Sequence, residues 1–95
     1  MELKIIASLT IQDEKSTSEI VNALNTIVEA TRQEEGNISY ELHQDIANPN
    51  TYVFIEVWKS QEAIDAHNNS AHFQEFVKVV DGKVALAVNV IRKVK

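Results

Sequence analysis

Apolar and polar residues alternate along the first part of the chain, which is the pattern of a β-strand with one buried face. Residues 3–11 carry this alternation. Beyond Ser16 the apolar positions recur at a helical spacing instead. Ser16 and Glu19 have the spacing of a capping box, and Gly36 is typical of a left-handed helix stop. The pattern therefore predicts a strand followed by a helix over residues 17–34.

The middle of the chain returns to alternation and predicts a hairpin. Residues 38–46 alternate, and residues 52–58 are rich in aromatic and β-branched side chains. Asn48-Pro49-Asn50 separates the two runs with residues that favour turns. Two antiparallel strands joined by this turn are the expected result.

The last third of the chain predicts two short helices and a final strand. Ser60 and Ser70 can each cap a helix, and Asn68-Asn69 breaks the chain between them. Asp81-Gly82 ends the second helix. The final strand, residues 84–91, is apolar at odd and even positions alike.

The predicted order of elements is βαββαβ. Right-handed crossovers and a central hairpin arrange this order as an α+β, ferredoxin-like split βαβ sandwich with both helical regions on one face of the sheet. The other face has no helix to cover it, although residues 52–58 and 84–91 are apolar on both sides. A second copy of the chain is the simplest cover, so a homodimer joined sheet to sheet is predicted.

Composition narrows the class of protein. A chain of 95 residues with 44 % hydrophobic content suits one domain over residues 1–95. A net charge of −5 without a large basic cluster argues against nucleic-acid binding. The lack of cysteine excludes disulfides and thiolate chemistry. No apolar run suits a signal peptide or a membrane span, so a cytoplasmic protein without membrane contact is expected.

Candidate chemistry is concentrated between Glu56 and Phe73, a stretch that holds the only tryptophan and two of the three histidines. Glu56 and Trp58 lie two residues apart in a strand and therefore share a face. His67 falls on the inner side of the first short helix, and His72 opens the second. If the helices cover that face, these four residues meet in a small apolar pocket and form the predicted catalytic set.

Each of these residues also has a possible structural role. A lone tryptophan is usually part of the core, and histidines at helix ends often cap backbone groups. Glu56, His67 and His72 match a two-histidine, one-carboxylate metal set in composition only, because the histidines are not one helical turn apart. No metal site is therefore predicted. The predicted substrate-binding residues are Tyr40, Phe54, Phe73, Phe76 and Asn89.

The stretch 36–76 resembles the antibiotic biosynthesis monooxygenase family, especially its small quinol monooxygenase branch. The resemblance implies a ferredoxin-like subunit and a homodimer whose two sheets form a dimeric α+β barrel. It also implies a pocket between sheet and helices in each subunit. The most specific elements are Gly36, Tyr40-Glu41, Glu56 with Trp58, His67 and the His72-Phe73 pair.

The resemblance also implies an activity. Family members oxygenate electron-rich aromatic substrates, such as anthrones and quinols, with O₂ and without metal or flavin. By position, Trp58, His67 and His72 are implied as pocket residues, with one of the two histidines as the base. Such a reaction needs a base, a positioned ring and a dry cavity, because the deprotonated substrate can itself give an electron to O₂.

Other activities are compatible with the same fold. Haem-degrading enzymes of the same superfamily, which are similar in fold, carry an asparagine on the first strand. Residues 2–11 contain no asparagine, which counts against haem degradation. An isomerase or lyase that removes a proton next to a carbonyl would also use a histidine and a carboxylate. Binding of a phosphorylated substrate would require a basic residue or a helix N-terminus near the phosphate group. A binding module without catalysis is the third alternative.

Overall fold

A computed structural model describes all 95 residues. Its elements follow the predicted βαββαβ order, with the second helical region broken into two helices. None of the helices is long and apolar enough to cross a membrane. The elements are β1 (Leu3–Ile11), α1 (Thr17–Thr31), β2 (Asn37–Gln44), β3 (Thr51–Trp58), α2 (Gln61–Asn68), α3 (Ala71–Val80) and β4 (Val84–Ile91), with a 3₁₀ turn (Glu14–Ser16) before α1.

The four strands form one antiparallel sheet in the order β2-β3-β1-β4. Sequence neighbours β2 and β3 form the hairpin, while β1 lies between β3 and β4 because each βαβ half crosses over before it returns to the sheet. This is the topology of a ferredoxin-like fold. The predicted α+β fold class is therefore confirmed.

The hydrophobic core lies between one face of the sheet and the three helices. On β1 the buried residues alternate with half-buried ones, as predicted. Burial of these side chains is the main favourable contribution to folding, on the order of 1.5–3 kcal/mol for each large apolar side chain. The core residues are Ile5, Ala7, Leu9 and Ile11 from β1, Ile20, Leu24, Ile27 and Val28 from α1, Tyr40, Phe54 and Trp58 from the hairpin, and Ile64, Phe76 and Val80 from α2 and α3.

The start of α1 differs from the prediction. Ser16 makes no side-chain capping bond to the helix, and its Oγ donates instead to Oδ2 of Asp13 at 2.8 Å. Glu19 accepts from Nζ of Lys83 at 2.6 Å. The predicted capping box is wrong because Asp13, which caps the 3₁₀ turn, accepts the hydrogen bond of the serine hydroxyl. The helix also ends at Thr31, three residues earlier than predicted.

Gly36 is required for packing and not for a left-handed turn. The only residue with positive φ is Gly82, at 74°, where α3 ends as predicted. A Cβ at position 36 would collide with Cβ of Ala63 in α2. The Gly36 carbonyl also accepts from the Lys59 amide at 3.0 Å. Gly36 therefore lets α2 sit directly on the chain that enters β2.

The opposite side of the sheet, here called the open face, carries no helix. On β3 this face presents Val53, Ile55 and Val57, which are half-buried. The register pairs Asn89 of β4 with Ile6 of β1, which in turn pairs with Ile55, so Asn89 also lies on the open face. In the folded sheet, β3 therefore carries apolar side chains both on the side that faces the helices and on the open face.

Candidate active site

A cavity of about 440 Å³ lies between the helix-facing side of the sheet and helices α2 and α3. Ile5 and Phe54 form part of its floor, and Phe73 and Phe76 form part of its roof. Its volume is in the range of sites that hold a small organic molecule. Most of its wall is apolar, so the few polar groups determine what chemistry it can support.

Three polar residues of the wall are almost fully buried: Tyr40, Glu56 and His67. Tyr40 lies directly across from Glu56 in the pairing of β2 with β3. His67 comes from the last turn of α2. Ser60 fixes the start of that helix, because its Oγ accepts from the Ala63 amide at 3.1 Å. A hairpin and a capped helix thus bring these groups to one cavity.

Glu56 is a carboxyl group poised to change its charge near neutral pH. Burial raises the pKa of Glu56 to about 7, the nearby charge of Glu34 adds to the rise, and a hydrogen bond from Trp58 opposes it. That bond runs from Nε1 of Trp58 to Oε1 of Glu56 over 2.9 Å. Glu56 can therefore donate or accept a proton at physiological pH.

His67 is a neutral imidazole held among aromatic rings. Its ring centroid lies 4.7 Å from that of Trp58 and 4.9 Å from that of Phe73. Burial lowers the pKa of His67, and the hydrogen bond and charge of Glu34 oppose this. Nδ1 of His67 lies 2.7 Å from Oε2 of Glu34. Because a carboxylate accepts, Nδ1 carries the proton, and Nε2 is free to act as a base.

Tyr40 is a hydrogen-bond donor and not a base. Burial raises the pKa of the Tyr40 hydroxyl well above its usual 10, and the charge of Glu56 raises it further. Its ring lies 5.5 Å from Phe54 and 5.8 Å from His67, centroid to centroid. The hydroxyl therefore keeps its proton at physiological pH and can bind an oxygen of a ligand.

Glu34 is the central residue that sequence reasoning missed. Its Oε2 lies 2.7 Å from Nδ1 of His67 and 2.7 Å from Nε2 of His72. The local signal for it is weak: Glu34 and Glu35 follow the C-terminal end of α1, where the helix dipole disfavours acidic residues. An acidic residue at such a place needs a positive or proton-donating partner, and the two histidines provide one.

Glu34, His67 and His72 also have the composition of a metal site. Their ligand atoms all lie within 4.8 Å of one another. The two distances of 2.7 Å match hydrogen bonds. Two ligands of a tetrahedral zinc ion lie about 3.3 Å apart, given metal–ligand distances near 2.05 Å. The arrangement is therefore that of a hydrogen-bonded triad, and the carboxylate in it is Glu34 and not Glu56.

The other predicted site residues fall into two groups. Phe54, Phe73 and Phe76 line the cavity as expected. Trp58 is fully buried and does not line the cavity. His72 does not line it either, and is connected to it only by Glu34, which contacts His67. Asn89 lies on the open face. The placement of Asn89 in the pocket was wrong because β4 is apolar at both parities, so the pattern alone did not define which side it faces.

Comparisons with known proteins agree with this fold. The family model described as antibiotic biosynthesis monooxygenase matches residues 3–79. A Bacillus subtilis (strain 168) protein named "Putative monooxygenase YcnE" is 34 % identical over 86 residues, which cover 90 % of each chain. A crystal structure of an antibiotic biosynthesis monooxygenase superposes with a TM-score of 0.90 at 29 % identity, covering 98 % of this chain and 99 % of that one.

A conserved protein from Methanosarcina mazei Go1 is similar as well, with a TM-score of 0.89 at 26 % identity and coverage of 98 % of this chain and 93 % of the other. The matched residues run from β1 into α3 and include Tyr40, Glu56 and His67. The chain belongs to the antibiotic biosynthesis monooxygenase family.

Proposed function

We propose that the chain is a monooxygenase that deprotonates a quinol- or anthrone-like aromatic substrate in this cavity and lets the resulting anion react with O₂. The observation that carries the proposal is the free Nε2 of neutral His67 on the wall of an apolar, aromatic cavity. Membership of the family supports a monooxygenase role. No metal or organic cofactor is needed for the steps below, because the substrate anion supplies the electrons.

The first step is transfer of a substrate proton to Nε2 of His67. Glu34 stabilises the imidazolium that forms, since its carboxylate already holds Nδ1. The Tyr40 hydroxyl donates to the phenolate oxygen, and the aromatic walls hold the ring in place. The electron-rich anion then reacts with O₂ to give a peroxide at carbon.

The second step breaks the oxygen–oxygen bond. In an anthrone-like substrate, the reacting ring carbon is a CH₂ group, which loses two hydrogens and keeps one oxygen atom as a carbonyl. The other oxygen leaves as water with two protons in place of those hydrogens. The atoms balance without an outside reductant, since the substrate is oxidised and O₂ is reduced. Glu56, whose pKa is about 7, donates the proton to the departing oxygen.

We also propose that the protein is a homodimer. Leu86, Val88 and Val90 of β4 are 57 %, 58 % and 52 % exposed. Leu86 and Val88 line the cavity. These three side chains lie on the helix-facing side of β4, because they pair with core residues of β1. A second copy that covers the open face and reaches around the β4 edge would remove them from water and close the cavity. Light scattering should therefore give twice the mass of one 10.7 kDa chain, and Ile55→Lys on the open face should shift it towards a single chain.

Proton shuttling without O₂ is the second candidate function. Glu56 and neutral His67 on one cavity wall are an acid–base pair that could move a proton between carbons next to a carbonyl. No lysine or arginine lines the cavity, which favours a substrate without a phosphate group.

O₂ uptake distinguishes the two functions. Chelator-treated protein is mixed with a panel of quinols and anthrones, and O₂ consumption is recorded with an electrode. Oxygenation predicts uptake equal to the carbonyl product formed. Solvent deuterium that enters the substrate under anaerobic conditions, with no uptake in air, would replace the oxygenase by the isomerase. Neither signal, with ligand-induced thermal stabilisation alone, would indicate a binding module.

A further inference from the structure

We infer that Ala7 determines how large an aromatic substrate the cavity accepts, because it leaves room in the middle of the sheet for rings that extend from the polar end of the cavity. The inference deepens the proposed function and rests on it in one respect, since the cavity is taken as the substrate site. It assigns Ala7 a role in specificity and no role in the proton transfers.

The cavity has a polar end and an apolar end. Its wall includes residues from all four strands, and neighbouring strands lie about 4.8 Å apart, so the cavity extends roughly 14 Å across the sheet. At one end, β2 and β3 contribute Tyr40 and Glu56, which pair with each other. At the other end, β1 and β4 contribute only apolar side chains to the wall, namely Ile5, Ala7, Val84, Leu86 and Val88.

The proposed base lies at the polar end. The ring centroid of His67 is 5.8 Å from that of Tyr40, and Glu56 lies across from Tyr40 in the sheet. The remaining polar residues of the wall, Asn68 and Asp81, are exposed. The hydroxyl group of a ligand therefore finds buried hydrogen-bond partners only at the polar end, and the rest of the ligand extends over β1 towards β4.

Ala7 is the smallest side chain on the helix-facing side of β1. It pairs with Phe54 on one side and with Val88 on the other, and all three residues line the cavity. The ring of Phe76 in the roof lies 6.3 Å from that of Phe54, centroid to centroid. A ring that extends from the polar end must pass between Ala7 and the roof, so a larger side chain at position 7 would occupy its space. The other β1 residues on this side are all larger: Leu3, Ile5, Leu9 and Ile11.

The substitution Ala7→Ile tests this role with two probes that differ in size. Phenol has a single ring and stays at the polar end, whereas 2-anthrol has three fused rings in a line and must extend over position 7. Dissociation constants are measured without O₂, by calorimetry for phenol and by fluorescence titration for 2-anthrol. We expect Ala7→Ile to weaken 2-anthrol binding by about 10- to 200-fold, the range for a small misfit in an apolar pocket, and phenol binding by less than about twofold.

A matched control and a smaller substitution complete the experiment. Ala47→Ile, in the exposed hairpin turn, should change the binding of neither probe. Ala7→Val adds less volume and should weaken 2-anthrol selectively by a smaller factor, so the result does not depend on the folding of one variant. Unchanged 2-anthrol binding in Ala7→Ile, or equal weakening of both probes, would overturn the inference.

The orientation of the ligand has its own test. Tyr40→Phe should weaken both probes by a similar factor, because both place their hydroxyl group at the polar end. Weakening of neither probe, or of 2-anthrol alone, would mean that the hydroxyl group of the larger probe is bound elsewhere, and this would overturn the inference.

These measurements separate the inference from the proposed function, because neither probe has to be turned over. Selective weakening of 2-anthrol in a chain that oxidises no quinol or anthrone supports the role of Ala7 and rejects only the proposed function. If the chain does oxidise such substrates, Ala7→Ile should lower kcat/KM for a three-ring anthrone much more than for a single-ring quinol. An unchanged ratio of the two kcat/KM values would overturn the role of Ala7 and leave the proposed function in place.

Discussion

The two sides of the sheet each carry a histidine–glutamate pair, and the two pairs differ in their surroundings. On the helix side, Nδ1 of His67 lies 2.7 Å from Glu34, and the side chains are 3 % and 15 % exposed. On the open face, Nε2 of His43 lies 3.0 Å from Glu41, and the side chains are 51 % and 57 % exposed. Within one subunit, water screens the second pair, so its contribution to the stability of the subunit is small. Burial among aromatic rings, and not the pairing itself, lowers the pKa of His67 and distinguishes its surroundings from those of His43.

Removing the proposed base, His67, should have the largest effect on catalysis. We expect His67→Gln to lower kcat/KM by roughly 10²- to 10⁴-fold, because the cavity loses its proton acceptor. His43→Gln should leave kcat/KM within about twofold, because His43 lies on the other side of the sheet. Steady-state O₂ uptake with a chosen quinol measures both. Equal losses in the two variants would contradict the assignment of the cavity as the site.

The second test concerns the dependence of stability on pH. Folding raises the pKa of Glu56 from its usual 4.5 to about 7, so between these values the folded chain binds more protons than the unfolded one. The free energy of unfolding should therefore decrease as pH rises from about 4.5 to about 7, by at most about 3 kcal/mol from this group.

The lowered pKa of His67 acts in the opposite direction below its usual 6.5, so the contribution of Glu56 is isolated as a difference. Glu56→Gln should remove the decrease, whereas Glu41→Gln on the open face should leave it. Urea unfolding at a series of pH values provides the comparison. A wild-type curve that matches that of Glu56→Gln at every pH would show that the carboxyl is not perturbed.

The third test removes each glutamate. Glu34→Leu leaves the buried Nδ1 of His67 without an acceptor, so unfolding should become easier by about 1–3 kcal/mol. Glu41→Leu should change it by less than about 0.5 kcal/mol, since the exposed partner can turn to water. Urea denaturation at one pH gives both values. A similar cost for the two variants would mean that the depth of burial is unimportant.

The smallest effect is expected for the indole behind the wall. Trp58→Phe removes the bond to Oε1 of Glu56 that opposes the rise in pKa, so the pKa of Glu56 should increase further, by less than about one unit. Val57→Ala, one residue away but on the open face, should leave it unchanged. NMR titration of the Glu56 side chain measures the change in its pKa. A lower pKa in Trp58→Phe would contradict the prediction, because it would mean that the indole hydrogen bond raises the pKa of Glu56.

The features that the sequence predicted best are those that depend on residues close together in the chain. The alternation of β1 and the caps at Ser60 and Ser70 gave the elements correctly, because strand faces and helix starts depend on residues a few positions apart. The capping box at Ser16 failed because Asp13, only three residues away, competes for the same hydroxyl. Local patterns are reliable only where no nearby group offers a better partner.

The site was less predictable because its key contact is long-range. Glu34 and His67 are 33 residues apart and meet only after the helices fold onto the sheet. The shared face of Glu56 and Trp58 was predicted because the two residues lie two positions apart in a strand, whereas the cover of that face by the helices was only a condition. Asn89 was placed on the wrong side because an apolar strand gives no sign of its facing until its pairing partner is known.

The contact between Gly36 and Ala63 sets the distance across which the triad forms. Glu34 lies two residues before this contact and His67 one helical turn after it, so a wider separation here would pull the carboxylate from the imidazole. The combined side-chain volume at positions 36 and 63 should therefore be restricted. Gly36→Ala alone should lose both stability and turnover, and Ala63→Gly in the same chain should recover part of each. Natural relatives with a larger residue at one position would then need a smaller one at the other.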